Sequence, residues 1–359
     1  MKILYGVTGE GMGHAMRSRV VLEHLVGAGH DLQIMASGRA CDFLSKRFAE
    51  VNRIHGFHMI LEENRVRIGK TAWSNILAGV LGLPQNIKAY FDLISDFEPE
   101  LVISDFESWS YLYAKHRRLP ILSIDNMQLL HRCVIPDDII GDQQVSFQLT
   151  KAFVKSKLPG CDGYFITSFF RPEVRKPDTM LFPPILRPEI LEAKRAATTG
   201  EHLLVYQSGR YEALEDALRD AGVPARIYGM RPGATEDERD GELWYRPFSE
   251  AGFVTDLATC RGVIAGGGFT LMGEAVYLGK PMLSVPLAGQ IEQYVNARYL
   301  EREGFGKFAP SLDDPAVLAD FLAHLPRYEH QLAGYHQDRN RELLRSLDRF
   351  LHHAAHEPR

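Results

Sequence analysis

The chain has 359 residues, 45% of them apolar and 24% charged, which excludes a disordered or fibrous class and favours two domains of roughly 100–200 residues each. A net charge of −5 offers nucleic acid no electrostatic foothold, so nucleic acid is not expected as a partner. Four scattered cysteines without a C-x-x-C pair argue against a zinc site or a disulfide framework and fit a reducing cytoplasm. No run approaches the ~18 consecutive apolar residues of a membrane span. The opening MKILYGVTG reads as a buried strand and a glycine turn, not as a secretory leader.

Short apolar strands alternate with amphipathic helices, the pattern of an α/β protein with parallel sheets. Strands are predicted at residues 3–8, 32–36, 101–104, 121–124 and 164–167, with helices at 15–27 and 108–118 between them. The segment 182–188, Phe-Pro-Pro-Ile-Leu-Arg-Pro, has three prolines and cannot continue a sheet or a helix. It reads as the connection between domains 1–183 and 184–340. The rhythm then restarts, with strands at 203–207, 226–228, 243–245, 263–265 and 282–285 and helices at 212–221, 271–278 and 292–303. The tail from Tyr328 to His356 reads as one long polar helix or two shorter ones. Its last part, 341–359, is expected to pack back on the first domain. Two doubly wound units in one chain suggest a cleft, with ligands beyond the carboxyl ends of the strands.

The first of those ends holds Gly6, Gly9, Gly11 and Gly13 ahead of His14. Glycines let the backbone approach a ligand, and the helix that follows turns its positive end toward it. Strict G-x-G-x-x-G is absent, because His14 stands in place of a glycine, and no acid closes the second strand. A nicotinamide or flavin site is therefore disfavoured. His14 is either a helix-start packing residue or a general base near neutral pH.

A second strand end reads Ala265-Gly266-Gly267-Gly268-Phe269-Thr270 and leads to Glu274. Glycines closing a strand and opening a helix make an anion nest suited to a diphosphate. Thr270 can add a hydroxyl. Glu274, four residues on, is either a solvated helix residue or an acceptor for ribose hydroxyls. The third end carries Gln290, Glu292 and Gln293, which either cap a surface helix or bridge the hydroxyls of a sugar.

These residues resemble the donor-binding half of GT-B glycosyltransferases, most closely the bacterial peptidoglycan N-acetylglucosaminyltransferases and the diacylglycerol glycosyltransferases. The resemblance is carried by the glycine turn with Glu274, the L-G-K-P strand from Leu278 to Pro286, Q-Y-x-N-A at Gln293–Ala297, and the G-x-G-H ending in His14. It implies a GT-B fold, two Rossmann-like domains facing a central cleft. It implies that Gly13, Gly267, Gly268, Thr270, Ser208, Gly209 and Arg210 meet a diphosphate. By the same likeness Phe248 and Ser249 lie beside a uracil, Glu274 holds the ribose, Gln293 meets the sugar, and Asn296 supports that helix. Two positions depart from the pattern. Glu292 replaces a second glutamine, which puts an N-acetylglucosamine donor in doubt, and Gly266 stands where other relatives carry a phosphate-binding histidine.

No D-x-D occurs, so metal-independent transfer is expected, with no cofactor. His14 would deprotonate an acceptor hydroxyl with inversion at the sugar. Asp105 is either its orienting acid or the cap of the next helix, and Asp125 is a rival for the first role. The acceptor is left open as a small molecule, a glycan or a lipid. The basic segment 65–70 and the apolar segment 73–83 form either a buried helix or a loop that touches a membrane peripherally. A nucleotide-sugar 2-epimerase and a non-catalytic sugar-nucleotide-binding subunit are the alternative functions.

Overall fold

The computed structural model describes residues 1–9, 11–54, 61–62, 65–66 and 91–356. The chain divides into two compact units, Met1–Ile185 with Asp338–Arg359, and Leu186–Gln337. Among the described residues no helix is long and apolar enough to cross a membrane.

The first unit is built on a parallel sheet. Its strands run in the order Val51–Ile54, Asp31–Ser37, Lys2–Val7, Leu101–Asp105, Ile121–Asp125, Gly163–Thr167 and Thr179–Phe182. Leu101–Asp105, Ile121–Asp125 and Gly163–Thr167 are buried along their whole length, as strands covered on both faces must be. Register pairs Val7 with both Ala36 and Asp105, so the first strand and its neighbours end together. Helix Met12–Gly27 and the carboxy-terminal helix Arg341–His356 cover the sheet, Leu343, Leu347 and Leu351 packing into one core with Tyr5, Val21 and Leu25. Gly6 has to be glycine, because a Cβ there would lie 2.0 Å from Ser110 Oγ on the helix Ser108–Arg117 packed over the strand.

The second unit repeats the plan. Its strand order is Glu238–Asp240, Leu243–Arg246, Ala225–Tyr228, Leu203–Tyr206, Gly262–Ala265, Met282–Ser284 and Gly306–Phe308, parallel except for the outermost Glu238–Asp240. Lys280, in the turn before Met282–Ser284, is buried and donates to the carbonyls of Thr198 and Cys260, at 2.6 and 2.8 Å. The lysine of the L-G-K-P strand is therefore a brace.

Several boundaries differ from the sequence reading. Helix Met12–Gly27 begins three residues earlier than expected, and helix Phe269–Leu278 begins two earlier, which brings His14 and Thr270 into their first turns. The tail forms two helices, Leu325–Leu332 and Arg341–His356, separated by Arg339 and Asn340 in left-handed backbone. The edge strands Val51–Ile54, Thr179–Phe182, Glu238–Asp240 and Gly306–Phe308 were not predicted: Glu238–Asp240 is charged and exposed, and the others are short and only partly buried, although Met180, Leu181 and Phe182 are apolar. Of the basic and apolar stretch, only residues 65–66 are described, and the rest of 65–83 lies outside the described residues.

Candidate functional site

Helix Met12–Gly27 starts from Gly11, whose φ of 84° and ψ of 159° suit glycine alone and whose Cβ side faces open space. Gly13 and His14 occupy the first turn that this kink sets at the carboxyl edge of the sheet. On that helix His14, Arg17 and Ser18 are three and four residues apart and share one face. All three converge on Asp105, at the end of the neighbouring strand and fully buried. His14 Nδ1 donates to Asp105 Oδ1 at 2.8 Å, Arg17 Nε to Oδ2 at 2.9 Å and Ser18 Oγ to Oδ2 at 2.9 Å, while Arg17 Nη2 also donates to Oδ1.

Burial by itself would raise the Asp105 pKa, but the Arg17 charge and the His14 contact outweigh it and hold the carboxyl at about 2. It is therefore ionised and the strongest acceptor in the cluster. Arg17 Nη2 also lies against His14 Nδ1, and with the carboxylate drawing both donors we assign the Nδ1–H tautomer. The lone pair is then on Nε2. Burial, then the Arg17 charge, pushes the His14 pKa below the ordinary value of 6.5, against the pull of Asp105. The result is a neutral imidazole, about 15% exposed, oriented by an ionised acid. That is the arrangement a general base requires.

Asp105 does not cap the following helix. Glu107 does, its carboxylate accepting from the amides of Trp109 at 2.6 Å and Ser110 at 2.8 Å. The rival Asp125 is buried, is held by Ser123 Oγ and the Gln128 amide, both at 2.7 Å, and makes no hydrogen bond to His14. Burial lifts its pKa to about 6.

In the second unit, strand Gly262–Ala265 runs through Gly266 and Gly267 to Gly268, the residue that precedes helix Phe269–Leu278. Gly267 is packed so tightly that a Cβ would lie 2.2 Å from the Gln293 carbonyl, whereas Gly268 is exposed with nothing within 4 Å. The Gln293 side chain does not simply point outward. Its Oε1 accepts from the amides of Gly267 and Leu287, each at 3.2 Å, and Asn296 Nδ2 donates to the Gly267 carbonyl at 3.2 Å. Gln293 and Asn296 thus brace the turn. With two N–H donors aimed at one atom, that atom is the oxygen, and the amide NH2 faces away. Gln290 immediately precedes helix Ile291–Arg302, and Glu292 lies in its first turn.

Glu274, read as a ribose ligand, is buried and engaged. Arg187 grips it through a fork, Nε to Oε1 at 2.7 Å and Nη2 to Oε2 at 3.0 Å, and reaches Glu250 Oε1 with Nη1 at 3.0 Å. Burial would weaken the Arg187 proton, but the two carboxylates outweigh it and raise its pKa. One lone pair on each Glu274 oxygen is therefore spent within the protein. Arg187 was missed in the sequence because it belongs to the proline-rich connection.

The remaining expected residues lie elsewhere in the second unit. Ser208 is exposed, and Gly209 has a φ of 91° with its amide bonded to the Gly229 carbonyl at 3.1 Å. Arg210 is 65% exposed and lies 3.5 Å from Glu212 and 3.8 Å from Glu215. Ser249 caps helix Glu250–Thr259 by accepting from the Gly252 amide at 3.3 Å. Phe248 beside it is 59% exposed, against Tyr228 and Phe253.

The sequence profile of glycosyl transferase family 1 matches residues 1–326. The chain belongs to that family. The glycosyltransferase is 25% identical over 354 residues to an uncharacterized glycosyltransferase of Methanosarcina mazei, covering 90% of this chain and 89% of the relative. A similar protein of Methanosarcina acetivorans is also 25% identical, over 359 residues, with the same coverage. Among solved structures it resembles the spinosyn forosaminyltransferase SpnP (TM-score 0.64, 14% identity, 99% of both chains). It also resembles Phytolacca americana UGT2 complexed with UDP-2-fluoro-glucose and pterostilbene (TM-score 0.66, 14% identity, 99% of both chains). These likenesses establish the GT-B fold of two Rossmann-like α/β domains.

Proposed function

We propose that this glycosyltransferase moves a sugar from a nucleotide diphosphate, most simply a UDP-sugar, to an acceptor hydroxyl with inversion, His14 acting as general base. The observation that carries the proposal is the His14–Asp105–Arg17 cluster, in which the ionised Asp105 meets His14 Nδ1; with the Nδ1–H tautomer assigned above, Nε2 is the available base. Nε2 would take the hydroxyl proton as the acceptor oxygen attacks the anomeric carbon. The nucleotide diphosphate would leave from the opposite face, which inverts the configuration.

The donor reading rests on the turn Gly266–Gly268. The exposed Gly268 and the amino end of helix Phe269–Leu278, with Thr270 in its first turn, suit the diphosphate. Phe248 suits the base, the second lone pairs of Glu274 suit the ribose, and Gln290, Glu292 and the amide of Gln293 suit the sugar. A helix end contributes ~0.3–1 kcal/mol at a surface and ~2 kcal/mol when partly buried, so several such groups must act together. The likeness to the peptidoglycan and diacylglycerol enzymes belongs to this proposal, as does a cytoplasmic setting, which suits the four buried free thiols.

The test is a thermal-shift screen against uridine, thymidine and guanosine diphosphates and their sugars, followed by transfer with the selected donor and NMR of the product's anomeric centre. Stabilisation by a uridine nucleotide and an inverted product formed without added metal are expected. A retained configuration, or activity lost to a chelator and restored by magnesium, would contradict the mechanism.

A further inference from the structure

Arg187 ties together two helices of the second unit. It precedes Pro188, whose ring restricts the residue before it to extended backbone, and Arg187 accordingly has φ −71° and ψ 154°. Its carbonyl accepts from the amides of Ile190 and Leu191, at 3.0 and 3.2 Å, and Ile190 is wholly buried, so the root of the side chain is fixed. The short helix Pro188–Ala193 lies against both Glu250–Thr259 and Phe269–Leu278. From there the guanidinium reaches one carboxylate on each helix, through the fork to Glu274 and the Nη1 contact to Glu250.

A planar guanidinium that donates twice to one carboxylate stops that carboxylate from rotating. The Glu274 oxygens are therefore set in one plane, with one lone pair remaining on each. Among the described residues the carboxylate accepts from no other group. Two lone pairs of a buried anion, side by side, call for two donors at the same spacing, and a vicinal diol supplies them. Arg187 already balances the charge, so the fitting donors are neutral hydroxyls and not a cation. Glu274 stands six residues beyond Gly268, about 9 Å along the helix axis, the scale of the step from a diphosphate to the hydroxyl edge of its own ribose. Glu250 directly follows Phe248 and Ser249, where the base is proposed to lie. Arg187 thus holds the ribose side and the base side of the donor site at one spacing.

We propose that Arg187 is a positioning residue that makes the enzyme select ribonucleotide donors over 2′-deoxyribonucleotide donors. It touches no reacting atom. It holds Glu274 so that both hydroxyls of one ribose are bound at once. A 2′-deoxyribose leaves one lone pair of a buried carboxylate unpaired, and that mismatch rejects it. The inference rests on the donor site proposed above, and paired nucleotides separate the two.

Calorimetry of the full chain with uridine and guanosine diphosphates, each beside its 2′-deoxy form, tests it. The wild type should bind a ribonucleotide about 10–100-fold more tightly than the 2′-deoxy form, the range for a lost hydrogen bond to a charged group. Arg187→Lys keeps the charge but not the fork. Its affinity for the ribonucleotide should fall to that of the 2′-deoxy form, which should itself bind as it does to the wild type. A role confined to stability would instead shift thermal unfolding and leave the ratio of affinities where it was. Should Arg187→Lys fail to fold, the double variant Arg187→Met with Glu274→Gln removes the fork without leaving Glu274 charged and unpaired, and it too should bind the two forms alike. A preference of wild-type size retained in either variant overturns the proposal. So does a wild type that binds both forms equally, a result that leaves the donor site standing. A wild type that binds none of these nucleotides overturns the donor site as well.

Discussion

Half-buried against an arginine, the His14 imidazole holds its proton less firmly than a histidine in water, and on the proposed mechanism this would set how activity responds to pH. Its pKa lies below 6.5, so the neutral form, which the proposed general base requires, should dominate throughout the neutral range. We expect kcat/KM to stay level above pH 6.5 and to fall with a one-proton limb below it. A limb centred above 6.5 would contradict the electrostatics. The sign for stability follows from the same shifts. A histidine with a lowered folded pKa disfavours the fold once pH drops below 6.5, because the unfolded chain takes up the proton more readily. Asp105 contributes stability that is complete above its ordinary 3.8 and is lost as pH falls through about 2. Sequence reasoning could name His14 and Asp105 as candidates because each stands at a strand end in the glycine-and-acid pattern of a cleft. It missed Arg17 and Ser18, although the spacing of His14, Arg17 and Ser18 marks a single helix face. What the linear chain could not disclose was that all three aim at one carboxylate from a different strand. Arg187 was hidden for a related reason, since its partners Glu274 and Glu250 lie more than sixty residues away.

At the scale of elements, the glycine turn after Gly262–Ala265 combines two positions with different duties. Gly267 allows close packing on the Gln293 backbone, and Gly268 leaves open space in front of the helix end. Gly267→Ala should therefore destabilise the second unit by about 1–3 kcal/mol, the usual cost of overpacking, as read by urea unfolding. Gly268→Ala should fold normally and weaken binding of a nucleotide diphosphate in calorimetry. Equal stability of both variants, with unaltered nucleotide affinity, would remove the turn from the donor site. Buried strands such as Ile121–Asp125 were readable because Ile121, Leu122 and Ile124 make a short apolar stretch between turn signals that admits few other structures. The edge strands were not, for Glu238–Asp240 consists of charged, exposed residues that pair only because Leu243–Arg246 offers an unfilled edge.

Across the whole molecule, the chain leaves the first unit at Ile185 and returns to it at Asp338. The returning helix Arg341–His356 completes the first core through Leu343, Leu347 and Leu351 and adds a contact from Asp348 to His24 at 2.7 Å. Leu347→Ala should cost about 2–5 kcal/mol, as burial of that leucine in a packed core implies. Hydrogen exchange should place the loss in Met1–Ile185 and the returning helix, leaving Leu186–Gln337 protected; equal loss in both units would contradict the division. The sequence reading expected 341–359 to pack back on the first domain, although an amphipathic polar tail carries no local signal of which sheet will receive it. The account as a whole depends on a neutral imidazole taking the acceptor's proton. Single-turnover transfer by His14→Ala, at saturating concentration of the donor that the nucleotide screen selects, tests this most directly. A rate lower by about 10²–10⁴ with an unaltered donor dissociation constant is the predicted result. Transfer at the wild-type rate would contradict it.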